Sequence, residues 1–150
     1  MPGMPEEKMK PDLHFASCNC LALRKAARAV SAFYDRALAP TGLSSVQFGL
    51  LAAIHDQPGI GMQELSDELV MDRTNLVRAV QPLARNGYIV QSADPENSRK
   101  RALTLSAEGR KIFTQAQAHW AQAQTAFEHS VGAANSSTLR GQLSEVAHHF

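Results

Sequence analysis

The sequence predicts a mainly α-helical fold with a small β-hairpin, and three observations predict it. Apolar residues recur with a helical period through most of the chain after residue 13. Two short helical stretches, Met62 to about Val70 and a second one capped by Asp72 and ended at Gly87, are separated by a brief Val70-Met71 link, which makes a helix-turn-helix. Two β-like runs, Tyr88 to Ala93 and Arg101 to Leu105, flank the turn-forming loop Asp94-Pro95-Glu96-Asn97-Ser98-Arg99-Lys100. A helix-turn-helix followed by such a hairpin is a winged helix, here at 44–105, with helical dimerisation segments at 14–43 and 106–150.

In chain order, residues 1–13 (MPGMPEEKMKPDL) hold three of the seven prolines and read as a flexible arm. From His14 to Leu38 the pattern is helical, with Leu21, Ala27, Val30, Tyr34 and Leu38 at compatible spacing, until Pro40-Thr41-Gly42 stops it. Ser44-Ser45-Val46-Gln47 is a capping box that opens a second helix carrying Phe48, Leu50, Leu51 and Ile54 as far as about His55. Gln57 to Gly61 is a turn with room for a very short strand at Ile60. The third helix buries Leu65 and Leu69. The fourth places Leu76, Val80 and Leu83 on a core stripe with Val77 and Ala84 beside it. Pro82 lies inside this helix and removes a hydrogen bond to the carbonyl of Arg78, so a bend is expected near 78–82. Ser106 caps a long helix with Glu108 in its first turn. Its stripe of Ile112, Ala116, Trp120, Ala123 and Phe127 runs to about Val131, about 37 Å at about 1.5 Å per residue. Leu139, Leu143 and Val146 mark a last helix. These stripes, with Leu21, Val30 and Tyr34 on the first helix, exceed what a winged helix covers, so a second copy of the chain is the expected partner.

With 150 residues, 44% hydrophobic and 19% charged, the chain has about one domain's worth of sequence. The net charge of +1 is too small to point to any partner. Its distribution is informative: residues 44–70 carry no Lys or Arg against 4 acids, and 71–105 carry 6 against 3. A local excess of this kind is what contact with phosphate requires. Cys18 and Cys20 are too close for a comfortable disulfide and fit no zinc spacing, so a reducing cytoplasm is expected and no metal or cofactor is assigned. No apolar run has the length of a signal peptide or membrane span, so no membrane partner is expected.

The chemistry concentrates on the fourth helix. Thr74, Arg78, Gln81 and Arg85 follow at i, i+4, i+7 and i+11 on the face opposite the core stripe, and no carboxylate interrupts them. Such a face suits the major groove of double-stranded DNA, where Arg reads guanine, Asn or Gln reads adenine, and Thr offers a hydroxyl and a methyl. Arg73, Thr74, Asn75 and Arg78, in the first two turns, are placed at base edges. Arg85 is placed toward phosphate, as are the wing cations Arg99, Lys100 and Arg101, which suit phosphate or the minor groove. Two other classes of function are less well matched by the sequence. A thiol enzyme would use Cys18 or Cys20 with one of the six histidines, but no spacing here matches a Cys/His signature. A winged helix used only for protein contacts gives no reason to keep Arg73, Arg78, Arg99, Lys100 and Arg101 together.

From Cys18 to Phe150 this order of elements resembles the multiple-antibiotic-resistance-regulator (MarR) family of bacterial transcription factors. The resemblance rests on MDRTNLVRAVQPLARNGYI, similar to the family's capped helix ending in Leu-x-x-x-Gly-hydrophobic. It rests equally on DPENSRKRALTLSAEGR, similar to its Asp-Pro-x-x-x-Arg…Leu-Thr-x-x-Gly-Arg wing. It implies a triangular homodimer whose winged helices enter successive major grooves. The chain departs from the pattern at Asn97, where an acid often stands two before the wing Arg, and at Gly61, where a side-chain cap is common. Within the family the first helix resembles that of the organic hydroperoxide regulators, with Cys20 at the place of the sensing cysteine and Tyr34 at that of one tyrosine. Arg24 replaces the other. That resemblance implies redox sensing at Cys20. The alternative reading makes both cysteines small hydrophobes at a helix start. The effector is then a small organic acid or phenol lodged between the dimerisation helices and the winged domain.

Overall fold

A computed structural model describes residues 14–150, so the expected N-terminal arm lies outside the described residues. The chain divides into two compact units, one ending at Ala32 and one running from Phe33 to Phe150. Helix α1 (Asn19–Leu38), which runs across that boundary, begins later than its apolar spacing suggests, after a separate 3-10 turn at Phe15–Ser17. Cys18 is the reason. Its backbone is extended, its carbonyl accepts from the Ala22 amide at 3.0 Å, and its Sγ accepts from the Leu21 amide at 3.4 Å. The thiol serves as a helix cap, a role that cysteine does not advertise in sequence.

In the second unit, α2 (Ser45–Asp56) opens with the capping box in full: Ser44 Oγ accepts from the Gln47 amide and the Gln47 side chain accepts from the Ser44 amide. Strand β1 (Ile60–Gly61) leads into α3 (Met62–Glu68), which ends two residues before the expected Val70. Asp72 caps α4 (Arg73–Arg85), and the helix continues across Pro82. Gly87, with φ of 77°, closes it: the amides of Gly87 and Tyr88 return to the carbonyls of Ala84 and Leu83, satisfying the last turn. Strands β2 (Ile89–Ala93) and β3 (Arg101–Leu105) follow, then α5 (Ala107–Val131), capped by Ser106, and α6 (Ala133–His149). Among the described residues no single helix is long and apolar enough to cross a membrane.

The expected hairpin is one part of a three-stranded antiparallel sheet, ordered β1-β3-β2. Ile60 pairs with Leu103 and Gly61 with Ala102, so β1 covers the outer edge of β3. The very short strand expected at Ile60 is thus present, and its pairing is set by the partner strand, since two residues carry no readable alternation.

The core joins Leu38, Leu50, Leu51 and Ile54 to Leu65, Leu76, Val80 and Leu83, and to Ile89, Leu103, Leu105 and Phe113. Each such side chain contributes about 1.5–3 kcal/mol when fully buried. Several expectations are corrected here. On α5 the buried positions are Gly109, Phe113, Ala116 and Ala123, of which the expected stripe named the two alanines, and Phe113 stacks on Phe48 with centroids 5.4 Å apart. Ile112 is partly buried against the same core, and Leu69 is only partly buried. Val77, expected beside the core stripe, is 37% exposed. The turn between α3 and α4 puts Val70 at φ 51°, a left-handed conformation that costs a β-branched residue energy. Buried Ser66 braces that turn, its hydroxyl donating to the Met71 carbonyl and its carbonyl accepting from the Met71 amide.

Candidate nucleic-acid interface

Helix α4 rests its Leu76, Val80 and Leu83 in the core, which leaves Arg73, Thr74, Asn75, Arg78, Gln81 and Arg85 exposed. Its first turn is heavily engaged. One carboxylate oxygen of Asp72 accepts from the Asn75 amide at 2.9 Å, and the other accepts from Asn75 Nδ2 at 2.5 Å. The Asn75 side chain is therefore part of the cap. Arg73 Nη1 donates to Gln63 Oε1 at 3.2 Å, and Gln63 Nε2 donates to Asp67 Oδ1 at 2.9 Å. Beyond this turn, no side-chain hydrogen bond or ion pair among the described residues holds Thr74, Arg78, Gln81 or Arg85. Cationic and amide groups left in water in this way are available to base edges or phosphate.

The wing adds its cations on the same side as the start of α4. A cleft of about 250 Å³ is lined by Gly61, Gln63 and Glu64 together with Arg73, Arg99, Lys100 and Arg101. Sheet register explains the meeting. Gly61 pairs with Ala102, which sets the start of α3 beside the first residue of β3. Gln63 and Glu64 were not legible as site residues, because their place depends on a strand pairing forty residues distant in sequence. In the loop the Asp94 amide donates to the Lys100 carbonyl at 2.9 Å, and the Arg99 amide donates to Asn97 Oδ1 at 3.1 Å. Asn97 thus folds the loop through its amide oxygen where an acid would pair with the Arg99 side chain. Among the described residues no Lys or Arg side chain lies within ion-pair distance of a carboxylate, so the wing cations keep their charge uncompensated.

The other singled-out residues fall elsewhere. Cys20 and Arg24 lie one turn apart on α1, both exposed, and Cys18 and Cys20 are free thiols. Leu21 is half-buried and Val30 exposed. The Tyr34 hydroxyl donates to Gln124 Oε1 at 2.6 Å, and Gln124 Nε2 donates to Glu128 at 3.2 Å. Burial raises the Tyr34 pKa above its ordinary 10.0, Glu128 raises it further, and Arg140 opposes them. Phe127 is half-buried beside Tyr34, with ring centroids 6.4 Å apart. Trp120 stacks on Phe48 at 6.1 Å while remaining partly exposed, and Leu143 and Val146 on α6 are exposed. A separate cleft of about 450 Å³ is bounded by Ile54, His55 and Pro58, by Thr104 and Leu105, and by Arg110 at the start of α5.

The fold and this surface define a winged helix with an open cationic recognition helix. A family model described as the MarR family matches residues 41–100. The transcriptional regulator HosA of Escherichia coli O111:H- is 31% identical over 74 residues, 49% of this chain and 55% of HosA. The chain spans little more than half the length of the curated relatives it matches. MosR, a transcriptional regulator of M. tuberculosis solved in complex with DNA, is 31% identical, with a TM-score of 0.79 over 87% of this chain and 94% of that one. CouR, a transcriptional repressor solved on a 23-mer DNA duplex, is 25% identical, with a TM-score of 0.80 over 89% of this chain and 94% of that one. The chain belongs to the MarR family of transcriptional regulators. Its homologues are regulators and not enzymes, which sets the thiol-enzyme reading aside.

Proposed function

We propose that the chain is a cytoplasmic homodimeric repressor that reads a pseudo-palindromic DNA site with α4 and holds the flanking backbone with its wing. The observation that supports this best is the α4 face itself: Thr74, Arg78, Gln81 and Arg85 are exposed and without side-chain partners among the described residues, beside the cleft lined by Arg73 and Arg99 to Arg101. In this reading 44–105 is the DNA-binding domain, and 14–43 with 106–150 form the dimerisation region. Arg73, Thr74, Arg78 and Gln81 read base edges, Arg85 holds phosphate, and Asn75, engaged in the cap, orders the first turn. A salt titration of binding to nonspecific duplex separates this from a protein-contact module. Log affinity falls linearly with log salt if phosphates are neutralised; salt-independent or absent binding contradicts the proposal.

Two signals for release are consistent with the chain. A small organic acid or phenol fits the cleft bounded by His55, Thr104 and Arg110, between α2, β3 and α5. By binding one state better it shifts the population away from the DNA-binding one. Oxidation is the second: Cys20 is an exposed free thiol at the place of the sensing cysteine of the organic hydroperoxide regulators, with Arg24 where they have a tyrosine. The thiolate attacks a peroxide oxygen, the O–O bond breaks, and sulfenic acid and an alcohol result. Under oxidation, organic peroxide releases DNA, reductant restores binding, and Cys20→Ser binds DNA but ignores peroxide. A Cys20→Ser protein that still releases DNA on peroxide treatment excludes Cys20 as the sensor.

A further inference from the structure

Val77 is the one aliphatic side chain on the exposed half of α4, and its surroundings suggest a purpose. It lies one turn from Thr74 and from Gln81 and next to Arg78, on the border of the proposed reading face, and is 37% exposed. The core beneath takes Leu76, Val80 and Leu83 without it. Scattered exposed valines need no explanation by themselves. This one stands among the groups that would meet base edges, and it neither donates nor accepts a hydrogen bond. In a helix a valine holds essentially one χ1 rotamer, so its two methyl groups are presented at little entropic cost. The major groove offers one apolar group to match them, the C5-methyl of thymine. Against a cytosine amine or an adenine amine the same methyls would desolvate a donor and return nothing.

We infer that Val77 is a specificity-determining residue that selects thymine at one position of each half-site through its C5-methyl. The inference rests on the proposed DNA reading by α4. It extends that reading from hydrogen bonding to apolar contact. The test uses a duplex selected by the protein from genomic fragments, with each thymine replaced in turn by deoxyuridine, which removes only the methyl. Burial of one methyl corresponds to about a four-fold affinity difference. The parent protein should therefore show one symmetric thymine whose replacement weakens binding by about four-fold. Val77→Ala should bind the thymine and deoxyuridine duplexes equally, and 5-methylcytosine at that position should recover part of the loss for the parent alone. Alanine favours helix, and retained helical circular dichroism and an unchanged salt dependence would show that the variant is folded and holds the backbone. If the parent binds its site selectively but no thymine loses its methyl sensitivity in Val77→Ala, the inference is overturned and the reading by α4 stands. If the parent selects no duplex sequence at all, that reading falls and this inference with it.

Discussion

Gly109 in the first turn of α5 lies so close to the residue before β2 that a Cβ there would stand 2.0 Å from the Tyr88 carbonyl oxygen and 2.9 Å from its carbon. That oxygen already accepts from the Ser106 amide at 3.0 Å, and Ser106 Oγ donates to the Gly87 carbonyl at 2.5 Å. Backbone atoms do not step aside as side-chain ends do. Gly109→Ala should destabilise by about 1–3 kcal/mol, as overpacking does, read as a lower urea midpoint; an unchanged midpoint would contradict the packing described. Tyr34 gives a second prediction. Its folded pKa is raised above the ordinary 10.0, so the folded state keeps a proton that the unfolded chain gives up. The corresponding stability is fully present below about pH 10 and is lost as pH rises through the folded pKa. Tyr34→Phe should remove that alkaline fall in stability. At neutral pH it should cost about 0.5–1.5 kcal/mol for the lost bond to Gln124. A parent and variant with the same alkaline slope would refute the assignment.

Helices and strands differ in how far local sequence announces them. Ser44, Asp72, Gly87 and Ser106 mark element ends through bonds made within a few residues, and the structure has these caps. What needed the fold was nonlocal. The pairing of Ile60 and Gly61 with Leu103 and Ala102 is set by the partner strand. Phe113 is buried because Phe48 faces it across from α2. Helical periodicity sets Val77 beside the core stripe, and it cannot tell which edge of an apolar stripe the neighbouring elements reach. Gln63 meets Arg73 only after the turn with Val70 at positive φ brings α3 against α4. For the wing, cations without acid partners are expected to contact DNA phosphate or the minor groove. Arg99→Ala and Arg101→Ala should each weaken binding on nearly every duplex and reduce the salt slope by about one per phosphate contact. A loss confined to one base sequence would move those residues from grip to readout.

At the scale of the molecule, apolar side chains remain in water on the helices outside the winged part. Leu23 and Val30 on α1, and Leu139, Leu143 and Val146 on α6, are all exposed in the single chain. An obligate interface covering them should bury more than about 2,000 Å² in total. Sedimentation at micromolar concentration should then give twice the single-chain mass, and a single-chain mass would remove the dimer. A two-fold dimer also constrains the DNA. Its recognition helices require inverted half-sites about one helical turn apart, roughly 34–36 Å. The most direct measurement is selection of bound fragments from genomic DNA by the parent and by Arg78→Ala, followed by titration of the recovered site. The account predicts an inverted repeat with that spacing from the parent. From Arg78→Ala it predicts the same repeat with preference relaxed at one symmetric position and a cost of about 1–3 kcal/mol there. Recovery of no repeat, or an Arg78→Ala protein that binds every site as tightly and as selectively as the parent, would contradict it.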